Sequence, residues 1–255
     1  MDIDEEMMLR RRRRKMQSAG GNAGGSSVPY VNYALAVASA SNQYLTLADS
    51  AAWNWSGGGG FTVAGWVNPA TLVATQYIAG KYTSGQREWN IGYSSTRFIS
   101  VRMSNDGTAQ TNASLSVQVA AAGSWSFVAF RYIPANVGAE LSVSVNDGTP
   151  ATAAHGTGLF NGTSRIVLGG SDVSITASTD GKLDRFGFWS RPLSNSEVTQ
   201  LYNAAAGLKY SDLDAGLKTS LVAYYDLDEA TGDRVDAHAG LNMTPVNSPT
   251  RGAGV

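Results

Sequence analysis

Side chains able to perform covalent or metal chemistry are few in this sequence. Its 255 residues contain no cysteine, which excludes disulfide frameworks, thiolate metal sites and cysteine nucleophiles. Only two histidines occur, His155 and His238. A catalytic triad or a metal centre that depends on histidine therefore has few residues from which to form. Acid–base chemistry by carboxylates is the chemistry that remains to be considered.

Carboxylates do not form a recognisable catalytic pair. No two of the six glutamates share a central predicted strand; they are Glu5, Glu6, Glu88, Glu140, Glu197 and Glu229. Asp226 and Asp228 could share one face of a strand, but the Glu-Ala-Thr-Gly-Asp that follows is typical of a turn. The sequence therefore predicts no catalytic residues and no enzyme.

Aromatic side chains could instead bind a ligand by stacking. Trp53 and Trp55 precede a glycine run at 57–60 that predicts a flexible loop, and Trp89 lies in a predicted strand. We predict that these three rings are exposed and bind a ligand. The alternative is that they belong to the core or rim of the domain, where tryptophan is mostly found.

The elements that would position these residues are strands. From Tyr30 onward, apolar and polar residues alternate, and turn residues interrupt the pattern about every ten positions, which predicts an antiparallel two-sheet sandwich. In Leu141–Val145 the alternating Ser142 and Ser144 predict a solvated outer face. Asn105-Asp106-Gly107 and Asn146-Asp147-Gly148 predict hairpin turns, because these residues tolerate a positive φ. Strands are predicted near 44–47, 61–67, 77–81, 88–93, 98–103, 114–119, 125–132, 141–145, 165–168 and 182–189.

One short helix is predicted near 195–206. Ser194 and Glu197 have the spacing of a capping box, and Gly207 follows the last apolar residues. Val198, Leu201 and Tyr202 form the apolar stripe. The expected fold class is thus all-β with one helix.

Three motifs resemble the laminin G-like domains of the concanavalin A-like lectin/glucanase superfamily. Phe61–Val67 is similar to the strand "FTvagWv" of that family. Trp125–Val128 followed by Leu141–Gly148 is similar to its "W..v" and "l.vyvnG". Gly181–Ser194, leading into Glu197–Tyr202, resembles its most specific signature, a strand, turn, capping box and helix in order. The resemblance covers roughly residues 40–210 and implies a jelly-roll sandwich, which we place at 28–217.

The same resemblance bears on catalysis and metal binding. Hydrolases of the superfamily carry paired carboxylates on one strand, which this sequence lacks. Related domains hold a structural calcium ion with an aspartate at the position of Asp184, so the resemblance implies a calcium site there. The alternative is that Asp184 accepts hydrogen bonds from neighbouring backbone amides. No cofactor is required for the expected function.

The C-terminal segment, 218–255, departs from the family pattern. Ser220–Glu229, Thr231-Gly232 and Leu241–Thr244 are similar to the strands with which the family usually begins. An isolated hairpin is marginal in water, so these strands need partners. They either close the sandwich of their own chain or complete a neighbouring subunit, and we favour closure within the chain.

The N-terminal segment, 1–27, predicts a charged arm on a Gly-rich tether. Acidic residues come first, then a basic run, and 18–27 is rich in Gly, Ser, Ala and Asn. The basic run is Arg10, Arg11, Arg12, Arg13, Arg14 and Lys15. We interpret the arm as an anchor that binds a partner; a solvated tail is the alternative. Nucleic-acid binding is disfavoured because nearby acids oppose the basic run.

These features together favour a structural or interaction protein. The charge order of the arm does not fit a secretion signal, no apolar run could span a membrane, and no catalytic pair occurs. We therefore expect a virion protein made in the host cytoplasm, such as a phage capsid decoration or a tail or fibre component. Its expected partners are other virion proteins through residues 1–27, host surface glycans, and further copies of itself in an oligomer or lattice. The alternative is a carbohydrate-binding module or adhesin of a bacterial surface protein.

Overall fold

The computed structural model describes residues 32–156, 158–171 and 178–255. The predicted arm, with its basic run at 10–15, lies outside these residues. Within the described part, fifteen strands form two antiparallel sheets that pack face to face. The predicted all-β jelly-roll sandwich is confirmed. No helix in this part is long and apolar enough to cross a membrane.

The first sheet, sheet A, has eight strands. Seven follow the order β10-β9-β8-β3-β12-β1-β15, and β13 pairs with β12. Their bounds are β1 Tyr33–Val37, β3 Phe61–Pro69, β8 Ser126–Tyr132, β9 Leu141–Val145, β10 Ala151–Ala153, β12 Gly181–Trp189, β13 Leu221–Tyr225 and β15 Thr250–Ala253.

The second sheet, sheet B, has seven strands in the order β14-β2-β11-β4-β5-β6-β7. Their bounds are β2 Tyr44–Leu47, β4 Gln76–Thr83, β5 Gln86–Tyr93, β6 Phe98–Met103, β7 Thr111–Gln118, β11 Ile166–Leu168 and β14 Thr244–Val246.

The C-terminal strands complete both sheets of their own chain. β13 pairs with one half of β12, at Phe186–Trp189, while β1 pairs with the other half, at Gly181–Leu183. β15 pairs with β1, and β14 pairs with β2 in the opposite sheet. The segment 218–255 therefore pairs with strands of both sheets of this chain. Closure within the chain, as opposed to completion of a neighbouring subunit, stays a prediction.

Helix α1, Asn195–Tyr202, begins at the predicted capping box. The Ser194 side chain accepts from the Glu197 amide, and the Glu197 side chain accepts from the Ser194 amide. A 3-10 turn at Asn203–Ala205 extends the helix to the predicted end. A four-residue helix, α2, spans Ala215–Lys218.

Two apolar cores result. The larger lies between the sheets, and the smaller lies on the outer face of sheet A, where α1 and the segment carrying Leu213 and Leu217 cover it. The prediction that Ser142 and Ser144 are solvated is wrong, since both are buried. The reason is this cover over the outer face of sheet A, which the two-residue alternation does not reveal.

Lys81 lies inside the sandwich with its charge matched by local partners. Its ammonium donates to a carboxylate oxygen of Glu88 and to the Gly162 carbonyl oxygen at 2.6 Å, and Asp49 Oδ1 lies 2.9 Å away. Glu88 also accepts from the Gly162 amide at 2.7 Å. Both Lys81 and Glu88 are buried, and burial raises the pKa of Glu88 to about 7.

Candidate functional site

The three predicted ligand-binding tryptophans are packed in the larger core. Trp53, Trp55 and Trp89 are 1%, 6% and 0% exposed. Trp55 and Trp89 stack with centroids 6.0 Å apart, and a 3-10 turn at Ala51–Trp53 folds the first ring inward. The prediction that these rings are exposed is wrong, because the turn closes the end of the core instead of leaving a loop in solvent. A ring without a free face does not stack on a ligand.

Asp184 accepts a hydrogen bond from the Val255 backbone amide at 2.9 Å. This contact corresponds to the amide-capping alternative for Asp184. Burial is the main cause that raises its pKa to about 7.

The side chains around Asp184 do not by themselves supply the six to eight oxygen ligands that calcium needs, so the calcium site stays a prediction. Asp228, a neighbouring carboxylate that raises the pKa of Asp184, is paired with Lys209 and accepts from the Tyr33 amide at 3.2 Å. Arg185 and Lys209 already supply positive charge to this cluster. Throughout the described residues, no group of three or more Asp, Glu or His side chains could hold a metal ion.

The C-terminal acids hold the backbone rather than a reacting group. Asp226 accepts from the Tyr210 amide at 3.0 Å. Asp236 accepts from the amides of Tyr224, His238, Ala239 and Leu241. These carboxylates fix the path of the C-terminal segment and form no catalytic pair.

A cleft of about 330 Å³ lies between α1 and the turn that joins β9 to β10. Its volume is at the lower end of the roughly 300–1,000 Å³ typical of small-ligand sites. Most lining side chains can form hydrogen bonds; the lining consists of Ser144, Asp147, Gly148, Thr149, Pro150, Asn195, Val198 and Thr199.

Local sequence fixes both walls of this cleft. Asn146 and Asp147 have φ values of 51° and 58°, so the Asn-Asp-Gly motif makes the tight turn that it predicts. The capping box fixes the start of α1. Asp147 joins the two walls, because its Oδ1 accepts from the Thr199 hydroxyl at 2.7 Å.

Arg131 forms hydrogen bonds with the N-terminal end of α1 and the residues that precede it. Its guanidinium donates to Asn195 Oδ1 at 2.7 Å, to the Leu193 carbonyl at 3.0 Å and to the Ser142 hydroxyl at 3.2 Å. Burial lowers the pKa of Arg131. Because Asn195 receives this bond on its oxygen, its amide nitrogen is the donor that this side chain can offer to the cleft it lines.

Polar groups of the cleft are left without a partner among the described residues. The buried Ser144 hydroxyl has no partner, and one Asp147 oxygen is not used by Thr199. Together with the Asn195 amide they give the lining a donor, an acceptor and a hydroxyl, which suits hydroxyl groups of a ligand. Asp147 is the only carboxylate of the lining, so the cleft lacks the pair that glycoside hydrolysis uses.

Sequence reasoning identifies Asp147 as a turn residue and Asn195 as a helix-start residue, but does not join them into a site. Residues 147 and 199 lie far apart in the sequence. They come into contact because α1 covers the outer face of sheet A next to the turn that follows β9. The capping box and the Asn-Asp-Gly turn were the available signals, and each is explained locally without a ligand.

Comparisons with known proteins follow this geometry. A laminin G model (Laminin_G_3), described as concanavalin A-like lectin/glucanases superfamily, matches residues 39–199. No curated protein matches the chain in sequence.

Similar solved structures share the fold at low identity. A candidate carbohydrate binding protein from Bacteroides ovatus superposes with a TM-score of 0.64 at 18% identity, over 88% of this chain and 60% of that protein. The chain thus spans less than two thirds of that protein. A CBM40 domain of the Ruminococcus gnavus IT-sialidase, bound to α2,6 sialyllactose, has a TM-score of 0.51 at 14% identity, over 66% of this chain and 95% of that domain.

Proposed function

This chain belongs to the laminin G-like branch of the concanavalin A-like lectin/glucanase superfamily, and from this membership we propose that it is a non-catalytic carbohydrate-binding domain. The ligand is a neutral sugar, and its site is the cleft between α1 and the β9–β10 turn.

The observation that carries this proposal is the unpartnered Ser144 hydroxyl, buried at the base of a preformed polar cleft. An unsatisfied buried polar group costs about 1–3 kcal/mol, which a ligand hydroxyl would offset on binding. The named carbohydrate binding of the two similar structures agrees with this function. At their identities the likeness concerns the fold alone, so the cleft bears the argument.

The test is glycan-array screening followed by calorimetry on the sugar that binds. Ser144→Ala removes the unpartnered hydroxyl, so we expect an affinity loss of about 3- to 10-fold, the value of one neutral hydrogen bond. Because the hydroxyl has no protein partner, the same change should leave the melting temperature unchanged or slightly higher. Asp147→Asn removes a charged acceptor with little change of shape, and the expected loss is about 10-fold or more.

Matched controls separate the cleft from general effects. Ser116→Ala changes an exposed serine on β7, and Asp233→Asn changes an exposed acid of the C-terminal segment; both should retain full affinity. Equal affinity of Ser144→Ala, Asp147→Asn and wild type for every sugar bound would reject the cleft, and absence of any bound glycan would reject the function.

We infer a second candidate role, that of a virion component displaying this domain, from the sequence of residues 1–27. The basic run at 10–15 and the Gly-rich tether support it, as a charged arm suited to a partner surface. Deletion of residues 1–27 should leave the melting temperature of the domain unchanged but prevent its incorporation into particles. Incorporation of the truncated protein at the normal level contradicts this role.

A further inference from the structure

The outer face of sheet B carries a group of side chains that the cleft does not involve. On β5, Trp89 and Ile91 belong to the larger core, so Asn90 between them is directed to the outer face. Arg102 of β6 lies opposite Asn90 in the sheet. Gly80 of β4 lies opposite Asn90 on its other side.

Two arginines of this face stack on tyrosines. The Arg102 guanidinium lies 5.0 Å from the centroid of the Tyr77 ring, and that of Arg87 lies 5.9 Å from the Tyr82 ring. Stacking orients a guanidinium while leaving its edge free for bidentate hydrogen bonds. Arg102 makes no hydrogen bond with the described residues, whereas Arg87 donates one to the Thr108 carbonyl.

Acidic side chains are scarce on the strands of this face. Among strands β4 to β7, the only acid is Glu88, and its carboxylate binds Lys81 and the Gly162 amide. The positive charge of Arg87 and Arg102 is therefore not neutralised by a neighbouring carboxylate on these strands. This holds although the whole chain has a net charge of -1.

The floor between the two arginines holds unsatisfied polar groups. Asn90 is 1% exposed, and neither its amide nitrogen nor its oxygen has a partner; the Tyr82 hydroxyl also lacks one. A Cβ at Gly80 would lie 2.8 Å from the Asn90 amide nitrogen, so a larger residue at position 80 would clash with the Asn90 side chain. Buried amides are normally paired, and an exception calls for an explanation.

We propose that the outer face of β4–β6 is a second binding surface, distinct from the cleft, for an anionic oligosaccharide bearing carboxylate or sulfate groups. Arg87 and Arg102 bind the anionic group, which draws the Arg102 side chain aside. A ligand hydroxyl then reaches the Asn90 amide beneath.

The chemistry of the face favours a sugar over a nucleic acid. Binding of single strands uses tyrosine rings with a free face for base stacking. Tyr77 and Tyr82 are buried, with the arginines over their rings. Two arginines and an amide instead match an anionic group beside hydroxyls.

The experiment measures binding of the full chain to three probes by calorimetry: a sulfated heparin hexasaccharide, an oligogalacturonate, and neutral maltohexaose. A single-stranded oligonucleotide is the fourth probe. We expect binding to one or both anionic sugars that weakens as salt rises, because exposed charges are screened. Sulfate and carboxylate are distinguished by which of the two sugars binds.

Arg102→Gln should lower the affinity about tenfold, the loss of one charged hydrogen-bonding group. The double change with Arg87→Gln should lower it further. The matched control is Arg251→Gln, which removes an arginine stacked 3.6 Å from the Tyr33 ring on sheet A; it should retain most of the affinity. Thermal melts verify that each variant is folded. If the double variant is unstable, the affinity of Arg102→Gln alone is compared with that of Arg251→Gln.

Three results overturn the proposal: no binding of either anionic sugar, a loss in Arg102→Gln no larger than in Arg251→Gln, or tighter binding of the oligonucleotide than of both sugars. Asp147→Asn should leave this binding intact, and Arg102→Gln should leave neutral-sugar binding in the cleft intact. Failure of one site is therefore distinguishable from failure of the other.

Discussion

Truncation of the chain after Leu217 is expected to abolish folding of the domain. The deletion removes β13, β14 and β15, which pair with β12, β2 and β1. It also removes fully buried core side chains, among them Tyr225, Leu227 and Met243. Loss of one such side chain costs about 2–5 kcal/mol, and a whole domain is stable by only about 5–15 kcal/mol.

Circular dichroism and size exclusion measure the outcome. The truncated chain should lack a cooperative melt and should aggregate through the exposed edges of β1 and β12. Supplying a peptide of residues 219–255 during refolding is the control, and it should restore part of the native signal. A soluble truncated protein with an unchanged melting temperature would show that the segment is dispensable to the fold.

Lys81→Met should lower the stability of the domain more than any of the other single substitutions proposed for this protein. It leaves Glu88 buried without its cationic partner, and breaking a buried pair from one side costs about 3–5 kcal/mol. Chemical denaturation of the variant and the wild type measures this difference. The matched control is Lys182→Met on β12, a half-buried lysine, for which we expect a change of about 0.5 kcal/mol or less.

The loss should also depend on pH in a defined direction. The pKa of Glu88 in the folded protein, about 7, lies above its ordinary value of 4.5, and removing Lys81 raises it further. Between these two pH values the folded state holds a proton on Glu88 that the unfolded state releases, so the contribution of Glu88 to stability is greatest below pH 4.5 and is lost as pH rises through 7. The penalty of Lys81→Met should be larger at about pH 8 than at about pH 5, and the opposite order would contradict the pairing.

Sequence patterns predict the elements of this fold better than the roles of single residues. β6 and β9 have the predicted bounds, and α1 begins where the capping box places it, because alternation and capping are local signals. No strand is predicted from the sequence at β1, β10 or β15. Their pairing is fixed by neighbours that lie far away in the chain.

The functional candidates depend on contacts that local patterns do not contain. Trp53 and Trp55 follow a strand and precede glycines, which predicts exposure, yet a 3-10 turn packs both rings inside. Ser144 occupies a position that the alternation of the strand predicts to be solvent-exposed. It is buried because α1 and the segment carrying Leu213 and Leu217 cover the outer face of sheet A. The burial of both kinds of residue is decided by the tertiary layers, not by the neighbouring sequence.

The division of β12 between β1 and β13 also determines when the protein can fold during its synthesis. The ribosome delivers a chain from its N-terminus at about 5–20 residues per second. β1 emerges early, but its partners are β12 and β15, the latter at Thr250–Ala253. The nascent chain therefore carries β1 without a partner until β12 has been synthesised, and neither sheet is complete until β14 and β15 have left the ribosome. The domain can therefore complete its two sheets only after β14 and β15 have left the ribosome.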